Sequence, residues 1–212
     1  MNPKQIFYEK QAASILKHLE RRQMKGYYCP TRQEAVATAM SLTAANTTVC
    51  FGGSMSLLES GVMDALKART DLTLIDRSHA KTPEEVRQVY LSAFDADTYF
   101  MSTNAITSDG QLVNIDGNGN RVAALIYGPG QVVMIVGMNK VVPTVDDAIR
   151  RVRNTATPPN CIRLGLETPC AATGSCADCL TENCICSQIV ITRRSRTADR
   201  IKVILVGEEL GY

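Results

Sequence analysis

Helix-start signals alternate along the chain with short apolar runs, and this alternation constrains the fold more than any other feature. Four N-capping residues are each followed three positions later by an acidic residue, a helix-start pattern, at Thr31–Glu34, Ser56–Glu59, Thr82–Glu85 and Thr144–Asp147. The apolar runs between them are Thr48–Phe51, Leu72–Ile75 and Thr98–Met101. Because strands that alternate with helices build βαβ units, this order predicts an α/β fold with a largely parallel, Rossmann-like sheet.

A different pattern begins near residue 105. The later segments with the length and composition of strands are Gln111–Ile115, Arg121–Ile126, Val132–Val136, Gln188–Thr192 and Ile201–Val206. The first three are separated by short stretches rich in Gly, Asn and Pro, which are typical turn residues. They predict a β-meander added to the parallel sheet, and the last two predict closing strands.

The 212 residues are predicted to form a single domain, 1–212, because no repeat or low-complexity linker divides them. Residues 1–46 are expected to be a helical segment, and the Cys-rich stretch 157–186 is expected to be a loop within the same domain. The first residues lack the apolar core and cleavage site of a secretory signal. The cytoplasm is therefore the expected compartment.

Composition argues against two classes of partner. The net charge is only +2, aromatic residues make up 5% and Trp is absent, so a nucleic-acid partner that stacks its bases is not expected. Residues 122–139 carry no charge, but Gly128, Pro129 and Gly130 interrupt them. Two buried strands, and no membrane span, are therefore predicted there.

Glycine and polar residues follow several predicted strands, at the sheet edge where open α/β sheets bind ligands. Gly52, Gly53 and Ser54 come directly after an apolar run, where free backbone N–H groups favour an anion. Asn104 and Lys140 also follow strands. The alternatives are structural, since Gly-Gly-Ser forms a tight turn and a lysine is common at a solvated strand end.

Two charged residues are candidates for more specific roles. Arg121 offers a planar set of donors that suits a carboxylate or a phosphate. Glu59 is the candidate general base, although a capping role with Ser56 explains its position as well. The two histidines of the chain lie near no nucleophile in sequence, which gives triad hydrolysis little support.

Five of the eight cysteines lie between residues 170 and 186, with the spacing C-x5-C-x2-C-x4-C-x-C. Four thiolates can hold zinc or an iron–sulfur cluster, and no histidine stands nearby to contribute. A structural cluster of free or paired thiols and a catalytic thiol are the alternatives. In a cytosolic protein, clustered thiols bind metal more often than they form stable disulfides.

Four strings of residues resemble the lactate-utilisation (LUD) domain family. They are FGGSMSLLESG, STNAITSDGQLVNIDGNGNRVAALIYGPGQVVMIVGMNKVV, PCAATGSCADC and VILVGEELGY, in this order from about residue 45 to the end. The resemblance, which is to the lactate utilisation protein C type, implies a fold similar to the ribose-phosphate isomerase, glucosamine-phosphate deaminase and CoA-transferase group. It also implies a part in the oxidation of L-lactate to pyruvate, with iron–sulfur subunits as partners.

Projected onto that fold, the candidate ligand residues surround one cleft for a small anionic metabolite. They are Gly52, Gly53, Ser54, Asn104, Asp109, Asn120 and Arg121, with Lys140 as a second cation and Glu59 as the general base. The family-like cysteines are Cys170, Cys176, Cys179 and Cys186. Cys184 stands where the family more often has a basic residue.

Three functions follow from these observations. The first is a lactate-utilisation protein that binds a hydroxy or keto acid within an oxidoreductase assembly. The second is an independent isomerase or CoA-transferase that acts on a sugar phosphate or an acyl-CoA, and the third is a regulatory or scaffold subunit. The sequence leaves open whether the chain is catalytic by itself and whether it forms a homo-oligomer.

Overall fold

The computed structural model describes residues 2–212. The helices are α1 Pro3–Arg21, α2 Arg32–Ser41, α3 Met55–Ser60, α4 Val62–Ala68, α5 Pro83–Ser92, α6 Asn120–Ile126, α7 Val145–Arg151, α8 Thr157–Arg163 and α9 Pro169–Thr173. The strands are β1 Lys25–Cys29, β2 Thr48–Phe51, β3 Thr73–Ile75, β4 Thr98–Met101, β5 Ala105–Thr107, β6 Leu112–Asp116, β7 Gln131–Gly137, β8 Val141–Val142, β9 Gln188–Thr192 and β10 Ile201–Val206.

Six strands form a parallel sheet in the order β1-β10-β7-β4-β2-β3. The remaining four form a second, mixed sheet in the order β8-β5-β6-β9, in which β6 is antiparallel to both of its neighbours. This architecture confirms the predicted α/β fold with a largely parallel, Rossmann-like sheet. Strand-to-strand crossovers through helices produce the parallel pairing, as the alternating sequence pattern requires.

Both faces of the parallel sheet are buried. Successive side chains of β7 point to opposite faces, so Val132, Met134 and Val136 pack with α1 and α6 on one side. Val133 and Ile135 pack with α2, α3 and α4 on the other. The strands consequently consist of nearly continuous apolar residues, which is typical of a parallel sheet covered by helices.

Three of the four predicted helix starts are confirmed by their caps. The side chains of Thr31, Thr82 and Thr144 accept hydrogen bonds from the backbone N–H three residues on. The start predicted at Ser56 is wrong, because α3 begins earlier and its cap is Ser54, which accepts from the N–H of Leu57. The acidic residue three positions later favoured Ser56, whereas the true cap, Ser54, is followed at that distance by Leu57.

The middle strand of the predicted meander is also wrong, since residues 120–126 form helix α6. The segment NRVAALI is rich in good helix formers, and Val122 and Leu125 lie on one helical face and are buried, whereas Ile126 is exposed. The uncharged stretch 122–139 is thus a helix, a turn and a strand. No helix in residues 2–212 is long and apolar enough to cross a membrane.

Two further segments differ from their predictions. The N-terminal region expected to be helical contains the edge strand β1, which pairs with β10. The predicted Cys-rich loop begins with two helices, and α8 continues α7 through a π-helical segment, Val152–Ala156. Both errors concern short elements whose conformation is decided by the partner strand or the preceding helix, neither of which leaves a local sequence pattern.

Gly137 ends β7 where the segment 207–211 crosses it closely. A Cβ atom at this position would lie 2.6 Å from the backbone nitrogen of Leu210 and would also clash with Asn139. Gly137→Ala is therefore expected to lower the free energy of unfolding by about 1–3 kcal/mol, as overpacking does, measured by urea denaturation. Gly53→Ala is the control, because its added Cβ would meet no atom within 4 Å. Equal losses in the two variants would contradict the prediction.

Candidate functional site

The topology of the parallel sheet creates a crevice beyond the carboxyl ends of β2 and β4. The chain runs from β2 to the edge strand β3 and then returns to β4 on the other side of β2. Ligands of open α/β sheets bind at such a reversal of strand order. Gly52, Gly53 and Ser54 follow β2, and Ser102 to Asn104 follow β4, so both segments end in this crevice.

A cavity of about 230 Å³ occupies the crevice and is called the cleft below. Its walls come from both sheets and from the continuous helix 145–163. The charged residues that line it are Arg77, Asp116, Arg121, Lys140 and Arg163. Three arginines oppose one aspartate, so the electrostatic potential of the cleft favours an anion whether or not Lys140 is protonated.

Lys140 is the buried cation of the cleft, with 4% of its surface exposed. Its Nζ donates hydrogen bonds to the Oγ of Ser56 at 2.8 Å and to the Oγ of Ser102 at 3.2 Å. Burial, together with the charge of Arg151, lowers the pKa of Lys140 from 10.5 to about 7. Within residues 2–212 no carboxylate forms an ion pair with this amine.

Arg121 lies at the start of α6 and is partly committed to protein partners. Its Nε is 3.0 Å from Oδ2 of Asp116, an ion pair without the alignment of a hydrogen bond. Its Nη2 donates to the carbonyl of Ile115 at 3.0 Å. Gly52 permits this position, because a Cβ there would lie 3.2 Å from Cγ of Arg121. The guanidinium is therefore held rigidly at the cleft wall.

The polar residues predicted around the cleft are largely brought together. Gly53, Ser54, Asn104 and Asn120 line it. The side-chain oxygen of Asn104 accepts from the N–H of Ile115, which orients the amide between the two sheets. Gly52 lies in a second cavity, also of about 230 Å³, that adjoins the first.

Asp109 does not line the cleft, and its predicted place there is wrong. It lies in the turn between β5 and β6, at the opposite end of the hairpin from Asp116, and its carboxylate pairs with Arg22. It also accepts hydrogen bonds from Thr107 and Gln111. Burial alone would raise the pKa of Asp109, but Thr107, Arg22 and Gln111 together lower it below its ordinary value. This cluster fastens α1 to the hairpin, so its role is structural.

Glu59 is neither a cap for α3 nor among the residues that line the cleft. Its carboxylate accepts the backbone N–H of Gly211 at 2.6 Å. The Oγ of Ser56 donates to the carbonyl of Leu210 at 3.1 Å. Glu59 therefore helps to hold the segment 207–211 beside Lys140, and a general-base role for it has no geometric support in this arrangement.

Comparison with known proteins identifies the family of the chain. The model of the LUD domain matches residues 12–206, nearly the whole chain. The chain belongs to the LUD domain family. This family is associated with lactate utilisation. No curated protein matches the chain.

The fold of this LUD domain is similar to that of a solved DUF162 family protein from Deinococcus radiodurans. The two share 13% sequence identity with a TM-score of 0.51, and the match covers 94% of this chain and 98% of the other. At this identity the likeness concerns the fold alone. It agrees with the α/β architecture described above.

The four predicted metal ligands of the LUD domain lie in different environments. Cys170 is buried and its Sγ lies 3.8 Å from that of Cys161, whereas Cys176, Cys179 and Cys186 are partly exposed. Burial raises the pKa of Cys186 to about 11. No three His, Cys, Asp or Glu side chains in the described chain lie close enough to hold an ion. A zinc or iron–sulfur site stays a prediction, which elemental analysis of anaerobically purified protein would decide.

Several residues that line the cleft, and Arg151 next to Lys140, were missed from the sequence. Ser56 and Ser102, the partners of Lys140, each follow a strand end within a few residues, so the rule that selected Asn104 could have selected them too. Arg163 lies on α8, in a segment predicted to be a loop. Arg151 contacts the carbonyls of Asn139 and Asn104, and only the tertiary structure reveals this.

Proposed function

We propose that this LUD domain binds a small 2-hydroxy or 2-keto carboxylate, with L-lactate and pyruvate as the first candidates. Binding would take place in the cleft and would contribute to the oxidation of L-lactate to pyruvate. Iron–sulfur subunits, which the resemblance to lactate-utilisation proteins implies as partners, would receive the electrons. Family membership supports the substrate class, and the charge of the cleft supports an acid.

The observation that carries this proposal is the amine of Lys140, which lies buried without a carboxylate partner. A buried charge is costly unless it is paired. Because no carboxylate pairs with it, the amine is driven toward its neutral form, and the carboxylate of a small acid would pair instead with Arg121, which also lines the cleft. The amine would then lie beside the hydroxyl or keto group of the bound acid.

The size of the cleft agrees with a small ligand. Pockets for drug-sized molecules measure about 300–1,000 Å³, and the cleft measures about 230 Å³. The amide groups of Asn104 and Asn120 line the cleft and would hydrogen-bond the hydroxyl or keto oxygen. At neutral pH the amine of Lys140, whose pKa is about 7, could accept the proton that the hydroxyl loses on oxidation.

Arg121→Gln is expected to weaken the binding of L-lactate and pyruvate by about 10- to 100-fold. A hydrogen bond to a charged group contributes about 1.5–3 kcal/mol, and about 1.4 kcal/mol corresponds to a factor of ten in Kd. Isothermal titration calorimetry measures Kd directly. The matched control is Arg22→Gln, which removes the other arginine that pairs with an aspartate of the β5–β6 hairpin, at the end away from the cleft.

The competing functions predict other outcomes of the same titrations. A sugar phosphate or CoA that binds while lactate and pyruvate do not would favour the isomerase or CoA-transferase hypothesis. Equal weakening by Arg121→Gln and Arg22→Gln would show that the cleft is not the binding site. Absence of binding by every acid tested would refute the proposal and leave a scaffold role.

A further inference from the structure

The surroundings of the Lys140 amine match a neutral amine better than an ammonium. The hydroxyl of Ser56 uses its own proton toward the carbonyl of Leu210, and that of Ser102 toward the carbonyl of Thr103. Both hydroxyl oxygens therefore accept from Nζ. Two acceptors satisfy the two N–H bonds of a neutral amine, and its lone pair stays unshared, whereas an ammonium would have a third N–H without a partner in residues 2–212.

Burial and the neighbouring arginines make the neutral form of this amine available near neutral pH. Arg151 and Arg121 both disfavour the ammonium, Glu59 favours it, and burial is the largest influence, so the pKa of Lys140 falls to about 7. A lysine becomes nucleophilic when it is desolvated or placed next to another cation. Lys140 satisfies both conditions and lines the cleft.

We infer that Lys140 forms a reversible imine with the keto group of a 2-keto acid bound in the cleft. The inference rests on the proposed function, because it assumes that the acid occupies this cleft. The Nζ lone pair attacks the keto carbon, and the carbonyl oxygen takes up a proton from the nitrogen to give a carbinolamine. The nitrogen then loses its second proton to the departing hydroxyl, which leaves as water, and a C=N bond replaces the C=O bond.

Other residues of the cleft are placed to support this step. Arg121 lies on the cleft wall and would hold the carboxylate of the acid, which fixes the keto carbon near the amine. Ser56 and Ser102 lie within hydrogen-bond distance of Nζ and could carry protons between nitrogen and oxygen. No oxidant or reductant is consumed, so the imine needs no further reactant. L-Lactate has no carbonyl group and would bind without forming it.

The test is reductive trapping with the full chain. The protein is incubated with pyruvate and sodium cyanoborohydride at pH 7–8, where the reductant converts an imine into a stable secondary amine, and is then analysed by intact mass and peptide mapping. We expect one reduced pyruvate per chain, located at Lys140. The adduct is expected to be lost in Lys140→Met and retained in Lys17→Met, which removes an exposed lysine. L-Lactate is expected to give no adduct and to compete with pyruvate.

The peptide map of the wild-type protein decides the matter even if a variant misfolds. Adducts spread over exposed lysines, with none enriched at Lys140, would overturn the inference. If calorimetry shows that pyruvate and L-lactate bind but no adduct forms, the imine is refuted and the proposed function survives. If neither acid binds, both fail.

Discussion

Replacing Lys140 with methionine is expected to raise the free energy of unfolding at pH 7 by about 2–4 kcal/mol. The unfolded chain carries a solvated ammonium with an ordinary pKa of 10.5, whereas burial in the folded protein lowers the pKa of Lys140 to about 7. Each unit between these values costs the folded state about 1.4 kcal/mol at low pH. Methionine has a similar length and no charge, and Ser56 and Ser102 keep their carbonyl partners.

The difference in stability between Lys140→Met and the wild type is expected to depend on pH. Between about pH 7 and 10.5 the unfolded chain binds a proton at Lys140 that the folded chain does not, so this group makes the wild-type protein more stable as the pH rises. The advantage of Lys140→Met should therefore shrink from pH 7 toward pH 10. Burial raises the pKa of Cys50 and of Cys186 to about 11, so these two thiols make the folded protein less stable as the pH rises toward 11. This effect is present in the wild type and in Lys140→Met, so it cancels in the difference between them.

Urea denaturation of the two proteins at several pH values measures this difference. Lys17→Met is the control, since it removes an exposed lysine of α1 and is expected to change little. A less stable Lys140→Met protein, or a difference that does not vary with pH, would show that the ammonium is not destabilising. A buried lysine that lowers stability fits a functional site, because activity often requires residues that destabilise the fold.

Asp116→Asn is expected to lower the stability of the protein and to strengthen the binding of small carboxylates. The carboxylate of Asp116 is buried and faces Nε of Arg121. Removing one partner of a buried ion pair leaves the other uncompensated, and because Arg121 keeps some contact with solvent we expect a loss of about 1–3 kcal/mol in the free energy of unfolding. The same change removes the acidic residue among those that line the cleft, so small carboxylates should bind about tenfold more tightly.

Asp109→Asn provides the matched control for this prediction. It also removes a carboxylate paired with an arginine, at the opposite end of the same hairpin. It should reduce stability, measured by urea denaturation, and leave the Kd of pyruvate unchanged, measured by calorimetry. If both variants bind pyruvate with the affinity of the wild type, Asp116 does not control the charge of the cleft.

Much of the fold was predictable because its signals are local. The caps of α2, α5 and α7 and the apolar strand β4 were recognisable from a few neighbouring residues. The prediction for residues 121–126 was wrong because a short apolar segment has no decisive period, and its helical form depends on packing against β4 and β6. Strand β1 was missed because its conformation depends on pairing with β10, a contact between distant parts of the sequence.

The candidate site was predictable only in part. The rule that ligands lie beyond the carboxyl ends of parallel strands selected Gly53, Ser54, Asn104 and Lys140, all of which line the cleft. Projection onto the fold of the family misplaced Asp109, because the two ends of a hairpin lie far apart and the sequence does not indicate which end faces the parallel sheet. Glu59 was misassigned because its true partner, the N–H of Gly211, is 152 residues away.

By itself the sequence determined the family, the alternation of strands and helices, and the edge of the sheet at which a ligand would bind. Each of these depends on residue type and on spacing over short stretches of chain. Only the tertiary structure decided the state of Lys140, whose hydroxyl partners lie 84 and 38 residues away. Burial and the approach of Arg151 set the affinity of its amine for a proton, and both are properties of the packed chain.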